Sequence, residues 1–213
     1  MGGENKSEQP HDALLLITKG KTHQTFMVAR ASAIEHYADI EQILASLCAY
    51  LMGVTVDIAG IPFFKMNNAR ARLDMLERLL NKKHGNTYNI FWNSLKKELN
   101  PIDLKRNKIV HWITEKTVTS DNERWSCLVG ANYWDRTENS EEIHLNDIYD
   151  FILKCHFFYH LIQNFLWVIS GSPKKIHELW PEICQQPVVY TPLKNHPLYR
   201  QKGAVPFYPQ LGY

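Results

Sequence analysis

The sequence predicts a mainly α fold: an up-and-down bundle of four to five helices with a small β-hairpin insertion and an extended C-terminal arm. Three observations carry that prediction. Several long segments place their apolar residues three and four apart, the spacing of one helix face. One short stretch, residues 114–119, is β-branched and alternating instead, and residues 124–129 can return beside it. Seven of the ten prolines fall after residue 172, interleaved with aromatic residues, which rules out a long helix there.

The elements follow in order. Residues 1–25 form an irregular N-terminal lead. Within it the apolar run 13–17 is short enough for a strand or a helical turn, and Lys19, Gly20 and Lys21 end it. Residues 26–52 form the first long helix. Its apolar face holds Ile34, Tyr37, Leu44, Leu47, Cys48 and Leu51, while Glu35, Asp39, Glu41 and Gln42 lie elsewhere and Gly53 stops it. Gly60-Ile61-Pro62 predicts a break, because the residue before proline avoids helical backbone and proline suits a helix start. The second long helix then covers 63–84, with a stripe of Ala69, Leu73, Leu76 and Leu80 and Gly85 as C-cap. A third helix spans 88–99, anchored by Phe91, Trp92, Leu95 and Leu99. Asn100 as N-cap, Pro101 in the first position and Asp103 against the dipole predict a separate short fourth helix over 101–113.

Residues 114–119 and 124–129 read as a hairpin around a turn at 120–123, followed by a polar loop at 137–142. The last long helix spans 144–170, with a wide apolar face that includes Ile148, Phe151, Cys155, Ile162, Phe165 and Ile169. Gly171-Ser172-Pro173 ends it. The domain organisation is one helical domain, 1–171, followed by an extension, 172–213. Trp180, Tyr190, Tyr199, Phe207, Tyr208 and Tyr213 predict that this extension packs on the domain or on a partner.

Composition narrows the class. At 213 residues with 45% hydrophobic and 22% charged residues, the chain has an ordinary globular balance, and a net charge of +2 gives no argument for nucleic-acid binding by charge alone. Cys48, Cys127, Cys155 and Cys184 are far apart, form no C-x-x-C and fit no zinc finger, and the polar N-terminus lacks a secretory apolar core. Reduced thiols and a cytoplasmic setting are therefore expected. The apolar stretch 151–169 contains Lys154, His156, His160, Gln163 and Asn164, which argues for a bundle helix rather than a membrane span.

The densest chemistry lies in Arg106-Asn107-Lys108-Ile109-Val110-His111. On a helix Asn107 and His111 share a face, while Arg106 and His111 are separated by roughly 140° at 100° per residue. The residue types suit phosphodiester cleavage. Histidine exchanges protons near neutrality, and arginine offers a permanently charged fork to phosphate oxygens and to a charged transition state. Asn107 can orient the histidine or bind an oxygen. Such a site needs no metal, because a deprotonated 2′-hydroxyl attacks the adjacent phosphorus. The same spacing also arises by chance, with Arg106 as a solvated side chain and His111 as a helix-end residue.

Arg106-Asn107-x-x-x-His111, late in a helical chain, resembles the signature of the HEPN superfamily, which is an arginine, four to six residues and a histidine, usually with a polar residue directly after the arginine. The order of long helices over residues 26–171 is similar too. The resemblance implies a metal-independent endoribonuclease without cofactors, active as a homodimer whose two motif helices form one cleft. It also implies a toxin–antitoxin, defence or RNA-processing setting, with RNA as substrate and a protein antitoxin as partner. By position, Arg106 becomes the phosphate and transition-state ligand, His111 the acid/base and Asn107 the supporting polar residue. Ile113 stands where one subgroup carries a tyrosine, and Trp112 follows the histidine directly. Trp112 suits a core or interface role better than base stacking. Some members of the superfamily are non-catalytic binding or dimerisation modules, and that is the alternative reading.

Other features weigh less. His156 and His160 have the i, i+4 spacing of two metal ligands, but Phe157 occupies the glutamate position of H-E-x-x-H, and no third ligand is evident, so they read as structural and no metal is expected. Arg70, Arg72, Arg78, Lys82, Lys83, Lys96, Lys97, Lys105 and Lys108 could rim an RNA surface, although charge runs on helices are usually solvated faces. Glu35, Asp39 and Glu77 are available as supporting carboxylates.

Overall fold

The computed structural model describes residues 23–118, 124–130, 141–171 and 177–199. The expectations for residues 1–22, the hairpin turn, most of the 137–142 loop and residues 200–213 lie outside the described residues.

The protein is mainly helical, with a small antiparallel sheet. Helix α1, His23–Met52, is the central element. It buries Phe26, Ala29, Ala33, Tyr37, Ile40, Leu44, Leu47 and Leu51 at spacings of three and four. Short helix α2, Val56–Lys65, folds back on it, burying Ala59 and Phe63. Helix α3, Ala69–His84, contributes Leu73, Leu76 and Leu80. Helix α4, Asn89–His111, carries the motif. Helix α5, Leu145–Ser170, makes the most extensive helix pairing, with α1. Phe165 of α5 stacks on Phe91 at 4.7 Å between centroids and meets Tyr88 edge-on at 5.3 Å, so α4 and α5 are joined by an aromatic cluster. Burying each such side chain is worth about 1.5–3 kcal/mol.

Two expected boundaries are corrected. The chain does not break at Gly60-Ile61-Pro62: α2 runs through Pro62, and the break falls after Lys65, where the Asn68 side chain accepts from the Arg70 and Ala71 amides and starts α3. Pro62 removes the bond to the carbonyl of Ile58, whose residue is 52% exposed, so water can satisfy that oxygen while Ala59 and Phe63 stay buried. Likewise, the predicted third and fourth helices are one. Helix α4 is continuous through Pro101, and Asn100 caps nothing. Lys97, whose carbonyl loses its partner, is exposed, while Leu95, Leu99, Ile102 and Ile109 keep a single buried stripe across the proline. Burial of that stripe outweighs the local signal for a helix start.

Strand β1, Ile113–Val118, pairs antiparallel with β2, Arg124–Val129, from Ile113 opposite Val129 to Val118 opposite Arg124. A third strand, β3, Glu142–Ile143, pairs with β2 and brings Ile143 against Leu128, both buried. Two residues are too few for alternation to show, and the sequence reads there only as polar loop. Gly171 closes α5 in the left-handed conformation, at φ 64°. Beyond it, residues 177–199 are irregular apart from α6, Trp180–Ile183. Trp180 and Cys184 enter the core, Tyr190 packs on Phe157, and the Val188 amide donates to Ser94 Oγ at 2.7 Å. All four cysteines are free thiols and buried. No single helix among the described residues is long and apolar enough to cross a membrane.

Candidate functional site

The motif occupies the last turns of α4, and a residue from α1 fixes that end. Arg30 donates from Nε to the Ile109 carbonyl (2.8 Å), from Nη2 to the carbonyls of Val110 and Trp112 (both 2.9 Å), and from Nη1 to Thr114 Oγ1 (3.0 Å). A helix C-terminus leaves its last carbonyls without intrahelical partners and carries partial negative charge. One guanidinium here satisfies three of them. Arg30 therefore fixes the backbone on both sides of His111 and joins α4 to β1.

Arg106 is directed towards α1. Its guanidinium lies over the Tyr37 ring, 4.7 Å from the centroid, and Nη1 donates to Asn107 Oδ1 at 2.9 Å. Glu41 stands 3.9 Å from Nη2 and is shared with Arg72, to which it forms a much closer ion pair. Arg72 in turn donates from Nε to the Met66 carbonyl at 2.8 Å. Tyr37 donates its hydroxyl to Asp103 Oδ1 at 2.7 Å. Burial first, then the hydrogen bond and the charge of Asp103, raise the Tyr37 hydroxyl far above the ordinary tyrosine range, so it remains a donor. Arg106 is thus stacked, oriented and 27% exposed, with Asn107 taking a single N–H in a hydrogen bond.

His111 faces the other way. It is exposed and forms no hydrogen bond with the described residues. Leu104, Lys108 and His111 are four and three apart on this outer face, and Leu104 is 63% exposed. Lys108 donates to both oxygens of the Glu141 carboxylate, and its ammonium lies 5.3 Å from the Trp112 ring centre. Trp112 is half-buried and packs against the core edge. Within one chain, therefore, Arg106 and His111 point to different surroundings.

Nothing matches in three comparisons. No protein-family model, no curated protein and no solved structure aligns significantly with the chain.

The remaining expected contributors are dispersed. Much of the basic rim is internally paired: Lys96 with Asp74 and Glu77, Arg72 with Glu41, and Lys105 with Asp147 at 3.9 Å. Of the three supporting carboxylates, Glu77 serves Lys96, Glu35 is exposed, and Asp39 lies with histidines elsewhere. The carboxylate beside Arg106 is Glu41. The expectation that Glu41 lies off the apolar face of α1 is corrected: four residues after Tyr37, it shares that face and is half-buried there. Arg30 and Asp103 likewise emerge only from the packing of α1 on α4. Among the described residues, Cys127, Glu142 and His144 bring their ligand atoms within 4.8 Å of one another. His36, Asp39, His156 and His160 line a groove between α1 and α5.

Proposed function

We propose that this chain is a HEPN-like, metal-independent endoribonuclease that acts as a homodimer in the cytoplasm. Its 2′-hydroxyl transesterification would use Arg106 and His111 with Asn107 in support. In this chemistry His111 accepts the 2′-hydroxyl proton as that oxygen attacks the adjacent phosphorus. The bond from phosphorus to the 5′-oxygen breaks, leaving a 2′,3′-cyclic phosphate, and the 5′-oxygen leaves with the proton that the His111 imidazolium gives back. Arg106 offers its unengaged donors to the phosphoryl oxygens as negative charge builds. The observation that carries the reading is the state of each side chain: Arg106 is stacked and steered yet retains free donors, and His111 is exposed on a backbone clamped by Arg30.

The roughly 140° between the two residues is why a second copy is needed, since one chain does not aim both at one phosphate. The exposed Leu104 and the 44% exposed Ile113 flank His111 and supply apolar surface for that contact. A toxin or defence role with a protein antitoxin fits such an enzyme.

The second reading is a non-catalytic HEPN-like binding or dimerisation module. One observation favours it: Arg106 sits close to Glu41 and Tyr37, partners that suit a structural cation. The deciding experiment is cleavage of single-stranded RNA in EDTA. The enzyme reading predicts cyclic-phosphate products that disappear in Arg106→Ala and His111→Ala while both variants stay folded. Equal products from His111→Ala and the parent, or none from the parent, leaves the binding module.

A further inference from the structure

The small sheet carries a second set of chemical groups, outside the motif. Leu128 pairs with Ile143 and Val129 with Glu142, so the same register sets Cys127 opposite His144. His144 is still extended, at φ −91° and ψ 170°, before α5 begins. Glu142 and His144 are two residues apart and so point to one side of the strand, and a residue directly opposite shares that side. Cys127 of β2, Glu142 of β3 and His144 at the head of α5 thus converge, with their ligand atoms all within 4.8 Å of one another. The cysteine spacing predicts no zinc site, because these three donors meet only once β3 pairs with β2.

We propose that Cys127, Glu142 and His144 bind a divalent first-row transition-metal ion, zinc being the representative. The first support is distance. Bonds of about 2.0–2.1 Å to imidazole nitrogen, about 2.0–2.2 Å to carboxylate oxygen and about 2.3 Å to sulfur put donor atoms roughly 3.3–3.6 Å apart at the tetrahedral angle. His144 Nε2 and Glu142 Oε2 lie 3.4 Å apart, which is already that separation. It is also longer than the usual hydrogen bond of about 2.7–3.2 Å. The Cys127 sulfur lies within 4.8 Å of both, so closing on an ion needs movements of only about 1 Å. The second support is the surroundings. Cys127 is a reduced, buried thiol at the base of the site, while Glu142 and His144 are exposed above it. Glu115 pairs opposite Cys127 on β1, on the same face, and adds negative charge beside the thiol.

Binding sends the thiol proton to solvent, and the resulting thiolate and the Glu142 carboxylate balance the two charges of the ion. Thiolate and imidazole donors suit zinc and its first-row neighbours rather than magnesium or calcium, which prefer all-oxygen shells. Three protein ligands leave one tetrahedral position to water, and the exposure of Glu142 and His144 keeps that position open to solvent. The bound ion pins the two-residue strand β3 and the start of α5 to β2.

The test is titration of the full chain, stripped of metal and reduced, with Zn²⁺ and with Co²⁺. Binding is read directly, so the result is independent of RNA cleavage. The proposal predicts one ion per chain and a thiolate-to-Co²⁺ charge-transfer band that is lost in Cys127→Ser and kept in Cys48→Ala. It also predicts at least a tenfold weaker affinity in Glu142→Gln and in His144→Asn, the second of which keeps a good helix N-cap. If Cys127→Ser fails to fold, Glu142→Gln, at an exposed position, decides alone. No binding, a charge-transfer band that survives Cys127→Ser, or unchanged affinity in Glu142→Gln overturns it.

Discussion

Arg30 is the residue on which the geometry around His111 depends. Its fork answers three carbonyls at the end of α4, and no other side-chain donor to those carbonyls occurs among the described residues. Arg30→Met should therefore lower stability by about 1–3 kcal/mol, the cost of leaving part-buried acceptors unsatisfied, and should reduce the proposed RNA cleavage although Arg30 is a positioning residue. Arg30→Lys should recover little, because an ammonium cannot span the same acceptors. Urea melts and cleavage rates of both variants check this, and a lysine variant equal to the parent would contradict it. Glu41→Gln belongs to the same scale. It leaves Arg72 and Arg106 without their shared carboxylate and should cost about 1–3 kcal/mol. Residues 106, 107 and 111 stand out in the sequence because their chemistry is local. Arg30, Tyr37, Glu41 and Asp103 do not, because their roles exist only once α1 lies against α4.

At the scale of elements, α4 shows how tertiary burial overrides a local signal. Asn100-Pro101 has the chemistry of a helix start, yet Leu95, Leu99, Ile102 and Ile109 lie on one buried stripe that requires a single helix. The proline is tolerated because Asn100, Pro101 and Lys97 face solvent. Pro101→Ala should consequently stabilise the protein, by about 1–3 kcal/mol, since it restores a hydrogen bond and removes a ring clash. A separate helix beginning at Pro101 would instead make this change neutral or harmful, so the denaturation midpoint separates the two. The helical and hairpin segments were legible from periodicity. The two proline positions were not, because single-residue rules do not weigh the burial on either side of them, and β3 was too short to leave a pattern. The His156 and His160 pair was visible as a spacing, whereas His36 and Asp39 join it only through the packing of α1 on α5.

At the scale of the whole molecule, the core contains all four thiols. Burial pushes Cys184 up to about 12 from an ordinary 9.0, and raises Cys48 and Cys155 as well. Above pH 9 the unfolded chain releases thiol protons that the folded chain keeps, so stability falls as pH rises from about 9 towards about 12. Urea midpoints taken below and above pH 9 should show the loss, with no such loss contradicting the buried state. The outward face of α4 gives a second test at this scale. In the proposed homodimer, Leu104 lies at the contact between copies, so Leu104→Glu should shift sedimentation towards monomer without changing helix content. An unchanged dimer places the interface elsewhere.

The central claim is that two copies of α4 make one site, with Arg106 and His111 drawn from different chains. It is tested most directly by mixing Arg106→Ala and His111→Ala protein, allowing subunits to exchange, and measuring RNA cleavage in EDTA. Each variant alone should be inactive, and the mixture should regain a substantial fraction of parental cleavage, because the mixed dimer holds one intact pair. A mixture as inactive as its components, or components as active as the parent, would contradict it.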